Sequence, residues 1–257
     1  MLKNITIGKG MKHLIPMSIF ALFIVGCGSG NEGNDQTKKD QVNVSDGLVA
    51  YYPFEGNARD SSGHENHGIA HGGIKYEKGV IGKAAKFDGV DDWIRIQQSS
   101  SLNHFTTMTI SFWTKYYKPT SGANNVSVHI SNGLDKGING EYGYYNYSES
   151  SEVKFLLGYW GDSQSISIPF DATRELSAQQ FALMTFVVDK EVLKVFLNGN
   201  LVDEQTRIFD KISRPSNDWS IGNMEDLYYL NGIIDDLRIY NRALTTEEIH
   251  KLYQYGK

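Results

Sequence analysis

The sequence predicts an antiparallel β-sandwich closed by one short C-terminal helix. Three observations carry this. From Gly47 onward the chain is a succession of short apolar or alternating runs separated by turn residues. Asn198-Gly199 stands between two such runs, a strong local hairpin signal. One segment alone, from Thr245 to Gly256, carries both the start and the stop signals of a helix. Many short strands followed by one terminal helix favour two antiparallel layers over a parallel α/β sheet.

The strand runs are, in order, 48–54, 84–87, 93–96, 107–112, 126–130 and 153–160. They continue with 181–188, 192–197, 201–202, 219–221 and 233–240. In 107–112, hydroxyl residues alternate with Met108, Ile110 and Phe112, the pattern of a strand with one face in a core. Residues 181–188 are apolar on both faces, so this strand is expected at a sheet centre, covered on both sides. The helix is expected over 246–254. Thr245 is its N-cap and Glu248, three residues on, completes a capping box. Ile249, Leu252 and Tyr253 form one apolar stripe, which should pack on a sheet edge, and Gly256 supplies the stop. No internal repeat is visible.

The 257 residues carry 25 Lys and Arg against 30 Asp and Glu, a net charge of −5, and no basic run, which argues against nucleic acid as a partner. Lys3, Lys9 and Lys12 precede an apolar run, 14–25, that is too short to span a bilayer comfortably and reads as a signal peptide over 1–26. It ends in Ile24-Val25-Gly26-Cys27, which resembles the lipidation box of bacterial lipoproteins. Cys27 is the sole cysteine, so no internal disulfide can form. A lone thiol directly behind such a segment is expected to be the acylated first residue of the mature chain. Residues 27–46 are almost devoid of large apolar side chains and read as a solvated tether, followed by one domain over 47–257. The expected location is therefore a bacterial membrane, at the outer membrane or cell surface, with the domain held by a lipid anchor.

Several short motifs then follow one another along the chain. Gly47-Leu48-Val49-Ala50-Tyr51-Tyr52-Pro53-Phe54 comes first, followed by Asp60-Ser61-Ser62-Gly63 and Asn66-His67-Gly68. Phe87-Asp88-Gly89-Val90-Asp91-Asp92-Trp93, Leu197-Asn198-Gly199 and Ile221-Gly222-Asn223 come next. Gly232-Ile233-Ile234-Asp235-Asp236-Leu237-Arg238-Ile239-Tyr240-Asn241-Arg242-Ala243-Leu244 closes the series. The ordered set resembles the laminin-G-like jelly rolls of the concanavalin A-like lectin and glucanase superfamily. The resemblance implies two curved antiparallel sheets packed face to face. It also implies a structural calcium ion that ties the N-terminal loop to the last strand.

The adjacent pair Asp235-Asp236 is the anomaly of that last strand. Neighbours on a strand point to opposite faces, so simple alternation puts Asp235 with Ile233, Leu237 and Ile239, and Asp236 with Arg238 and Tyr240. A bare carboxylate facing a core costs several kcal/mol. Matching the family pattern, Asp60, Asp235 and Asp236 are the expected calcium ligands, since Ca²⁺ takes six to eight oxygens in irregular geometry. The alternative is a hydrogen-bond network in which Asp60 caps its own turn and Asp236 pairs with Arg238. His64, His67 and His71 lack the accompanying cysteine or helix that a zinc site would use and read as loop histidines.

A pyranose has an apolar face and hydroxyl edges, so sugars are recognised by flat rings with polar groups beside them. Tyr142, Tyr144, Tyr145 and Tyr147, with Tyr159 and Trp160, are the expected ligand-binding residues, although alternate tyrosines could equally pack in the core. The paired carboxylates of the superfamily's glucanases, carried on a Glu-x-Asp-x-x-Glu run, are missing here, and no catalytic residue is assigned. The expected partner is a glycan or a cell-surface protein, bound without catalysis; a diverged polysaccharide-cleaving enzyme is the minor alternative.

Overall fold

A computed structural model describes residues 44–103, 107–116, 126–132, 142–147, 153–159, 162–168, 180–206, 218–224 and 228–257. The signal segment, Cys27, nearly all of the tether and Trp160 lie outside the described residues. The strands are β1 (Leu48–Tyr52), β2 (Gly68–His71), β3 (Lys75–Lys78), β4 (Lys83–Asp88), β5 (Trp93–Ile96), β6 (Met108–Tyr116), β7 (Val126–Ser127) and β8 (Ile130–Ser131). They continue as β9 (Tyr142–Tyr147), β10 (Val153–Tyr159), β11 (Asp162–Ile168), β12 (Ala182–Val188), β13 (Val192–Leu197), β14 (Asn200–Thr206), β15 (Trp219–Ile221) and β16 (Asn231–Tyr240). Helix α1 spans Thr246–Tyr255.

Two antiparallel sheets result. Sheet A runs β14-β13-β12-β6-β16-β4-β3, and sheet B runs β11-β10-β9-β8-β15-β5-β2, with β7 beside β9. Strand β16 is the spine of sheet A. It pairs with β6 along one edge, while on the other its first half pairs with β4 and its second half with β1. This is the expected jelly-roll sandwich. The inter-sheet core takes Phe87, Ile110, Phe112, Met184, Phe186 and Ile234 from sheet A and Ile94, Ile96, Ile130, Trp219 and Ile221 from sheet B. Truncating one of these large side chains to Ala would cost roughly 2–5 kcal/mol.

A second cluster covers the outer face of sheet A. Ile249 and Leu252 of α1 pack with Trp113, Leu183, Val187, Phe196 and Tyr240. The helix therefore lies on a sheet face rather than on the edge expected from its narrow stripe. Strand β12 explains this: it is buried along its whole length, with Met184 and Phe186 in one cluster and Leu183 and Val187 in the other. The expected capping box is formed, Thr245 Oγ1 accepting from Glu248 N at 3.2 Å and Glu248 Oε2 from Thr245 N at 2.8 Å. Gly256 ends the helix where any Cβ would run into the Trp113 indole.

The alternation assumed for β16 fails at the aspartates. Asp235 pairs with Trp113 and Arg238 with Ser111, so Asp236 and Leu237 together face the single residue Phe112. This is a β-bulge, and Asp236 takes the left-handed conformation, φ 49°, that the bulge demands. Ile234, Leu237 and Ile239 consequently share the inter-sheet core, and Asp235 lies on the opposite face of the strand.

Candidate functional site

Three polar constellations stand out, and the first is the loop after β1. Asp60 is 8% exposed. Its Oδ1 accepts from Tyr51 N and Ser62 N, both at 2.8 Å. Its Oδ2 accepts from Ser62 Oγ at 2.8 Å and Asn66 N at 2.9 Å. Asn66 in turn donates to Val49 O at 2.8 Å and Ser101 Oγ at 2.9 Å, and accepts from Ser99 Oγ. The loop is thereby stitched to β1 and to the 3-10 turn at Ser100–Leu102. Asp60 caps its own turn with every short-range lone pair in use.

The second is the bulge. Asp235 has no exposed surface, and its Oδ2 accepts from Val80 N at 2.8 Å and Ile81 N at 3.0 Å, 155 and 154 residues away in sequence. Gly79 packs so closely on this carboxylate that a Cβ there would overlap it. Burial pushes the Asp235 carboxyl up to about 7, the N–H bonds from Ile81 and Val80 pulling the other way and the neighbouring charge of Asp236 adding to the rise. Asp236 instead accepts from Arg238 Nη2 at 2.9 Å, and the Arg238 guanidinium lies 4.4 Å over the Tyr51 ring. Asp60 and Asp236 therefore both adjoin Tyr51, one at its backbone and one through Arg238, whereas Asp235 is committed to the β3–β4 turn.

These three aspartates do not form a group of three converging ligands. Asp60 is occupied by N–H and O–H donors, Asp236 by a cation, and Asp235 by two N–H groups in a fully buried position. Asp235 Oδ1 is buried and has no hydrogen-bond partner among the described residues, and no role is derived for a calcium ion. Among the described residues, the acidic group whose oxygens do converge, within 4.8 Å, is Asp88, Asp91 and Asp92 in the β4–β5 turn. There Asp92 is committed to the backbone, accepting from Gly73 N and from Asp88 N. The histidines are not a cluster: His67 Nδ1 accepts from Asp60 N at 3.2 Å, and His71 belongs to strand β2 rather than a loop.

The third constellation is aromatic. Tyr142, Tyr144, Tyr145 and Tyr147 lie on β9 and Tyr159 ends β10, but their side chains lie outside what the structure describes, as does Trp160 altogether. Ser131 pairs with Gly143 and with Ser220, and Ser220 with Arg95, so one continuous row crosses the outer face of sheet B. At the described end of that face, the His71 and Trp93 rings stack at 4.2 Å with an interplanar angle of 13°. The sequence reading missed this pair because His71 ends β2, a four-residue run with Gly68 and Ala70 too short to show a period.

A laminin-G family model, described as the concanavalin A-like lectin/glucanases superfamily, matches residues 88–250. No curated protein matches the chain in sequence. Domain 4 of AbnA, an extracellular arabinanase from Geobacillus stearothermophilus solved with arabinotriose, is similar in structure, with a TM-score of 0.65 and 24% identity over 80% of this chain and 98% of that one. The binding domain of botulinum neurotoxin DC, solved with rat synaptotagmin II, is similar with a TM-score of 0.67 and 15% identity over 83% of this chain. A botulinum neurotoxin type C structure, solved in connection with cell entry through two ganglioside molecules, is similar with a TM-score of 0.67 and 16% identity over 84%. This chain spans 52% of the length of each neurotoxin chain. At these identities the likenesses establish the fold alone.

Proposed function

The chain belongs to the laminin-G branch of the concanavalin A-like lectin/glucanases superfamily, and from that premise we propose that it is a non-catalytic, surface-anchored carbohydrate-binding lipoprotein. The observation that carries the proposal is the sandwich itself. A domain of the same architecture, domain 4 of an extracellular arabinanase, was solved in complex with arabinotriose and is covered over 98% of its length. Two features of this chain agree. The buried carboxylates Asp60, Asp235 and Asp236 are engaged by backbone donors or by Arg238, an arrangement that holds loops rather than polarises a glycosidic bond. Among the described residues the outer face of sheet A is covered by α1, and this reading takes the outer face of sheet B, with its tyrosine-rich strand β9, as the surface for a ligand.

In this reading residues 1–26 direct export, Cys27 carries the lipid, and the tether over 27–46 holds the domain off the membrane. The glycan is held by the face that contains β9 and β10. The test is a glycan array probed with the full chain in detergent, followed by incubation of any ligand that binds. Binding with the oligosaccharide recovered intact is the expected result. Loss of intact oligosaccharide over time would replace this reading with an enzymatic one. Silence on every glycan, with a cell-surface protein captured instead, would favour a protein-binding role such as that seen with synaptotagmin II in the neurotoxin domain.

A further inference from the structure

Strands β2 and β5 form one end of sheet B, with Ile69 opposite Arg95 and His71 opposite Trp93. Ile94 and Ile96 face the inter-sheet core, so Ile69, His71, Trp93 and Arg95 share the outer face. Ile69 on this face is 53% exposed. His71 covers one side of the Trp93 ring. Beyond the pairs Ser220–Arg95 and Ile221–Ile94, the neighbouring chain turns at Gly222 with φ 89°, near Asp92 O. A Cβ on Gly222 would strike the Phe87 ring in the core. His71 Nε2 is shielded from water and has no hydrogen-bond partner, a polar group left unmet at the same spot.

Resting on the glycan-binding reading, we propose that this outer face of β2, β5 and β15, centred on Trp93, is a subsite for an uncharged sugar ring. The flat Trp93 indole suits the apolar face of a sugar, and Ser220 and Arg95 lie on the same face to supply edge contacts. The charge around it decides the class of sugar. Asp218 pairs with Arg95 and cancels its charge. Asp88, Asp91 and Asp92, in the turn that leads into Trp93, add negative potential. Uronates, sialates and sulfated sugars are repelled by such a field, whereas neutral rings are not.

The experiment is calorimetric titration of the full chain in detergent with neutral trisaccharides of arabinose, glucose, mannose and galactose, and with uronate and sialate trisaccharides. At least one neutral ligand binds, charged ligands of equal length bind at least about tenfold more weakly, and Trp93→Ala weakens the neutral ligand about tenfold, while Trp93→Phe largely restores it. The Trp93 indole N–H resonance, assigned by its loss in Trp93→Phe, shifts on titration of the unmodified chain, which tests the subsite even if the alanine variant folds poorly. Unchanged affinity in Trp93→Ala with a still resonance would overturn the subsite and leave glycan binding standing. A preference for charged ligands would overturn the neutral class, and no binding of any sugar would overturn the subsite together with the reading beneath it.

Discussion

Asp236 shows how one residue can meet two demands at once. Its backbone is left-handed, which costs most L-residues about 1–2 kcal/mol and is tolerated best by Gly, Asn and Asp. Its side chain pairs with Arg238, whose side chain is only 11% exposed. Glycine would satisfy the backbone and abandon the cation, and a β-branched residue would do neither. Asp236→Asn should therefore lose the ion pair alone, and Asp236→Val should lose both. Urea unfolding should rank Asp236→Val below Asp236→Asn by about 1–2 kcal/mol; equal stabilities would mean that the bulge imposes nothing on this position. The sequence exposes the conflict between two adjacent carboxylates on one strand but not its resolution. Alternation counts one residue per ladder position, and a bulge adds one, so every side chain beyond Asp236 changes face relative to that count.

At the scale of elements, Asp235 fastens the turn between β3 and β4 to β16, the last strand along the chain. The bond depends on ionisation in a calculable sense. The folded carboxyl titrates at about 7, above the roughly 3.9 of an exposed aspartate, because burial disfavours its charge. Between those values the folded chain holds a proton that the unfolded chain releases. The contribution of this group is therefore fully present below about pH 4 and is lost as pH rises through about 7. Glu248 runs the other way. Its hydrogen bond from Arg242 holds it near 2, so its contribution is present above the ordinary carboxylate range and disappears as pH falls through about 2. Subtracting the unfolding free energy of Asp235→Asn from that of the unmodified chain removes Glu248 from the comparison. The difference should fall steadily between pH 4 and pH 7, and a flat difference would show that Asp235 is not desolvated as its position implies. Most elements were legible from the sequence because their apolar periods are strong, β12 above all. Strands β2, β3, β9 and β11 were not. Lys75-Tyr76-Glu77-Lys78 in β3 is charged as edge strands tend to be, and Tyr142 to Tyr147 is broken by Gly143 and Asn146.

For the whole molecule, the decisive asymmetry is between the two outer faces. Among the described residues it is sheet A that carries a cover, a ten-residue helix held by a capping box at one end and by Gly256 against Trp113 at the other. The sequence announced the helix through Thr245 and Glu248. It did not announce what the helix covers, since Trp113, Leu183 and Tyr240 come together only in the folded sheet. For the same reason the His71–Trp93 stack could not be read from residues 22 positions apart, each on its own short strand. The placement of a ligand face on sheet B rests on sheet A being unable to stand in water uncovered. Ile249 and Leu252 are buried, and each such side chain contributes about 1.5–3 kcal/mol. Removing residues 245–257 should therefore forfeit several kcal/mol, a large share of the 5–15 kcal/mol typical of a folded domain. It should also leave Trp113, Leu183, Val187, Phe196 and Tyr240 open to solvent. The truncated chain is expected to melt at a clearly lower temperature, bind a hydrophobic dye and self-associate. Should it instead keep its melting temperature and remain monomeric and dye-free, the outer face of sheet A would be as available as that of sheet B, and the choice between them would have to be made again from ligand contacts.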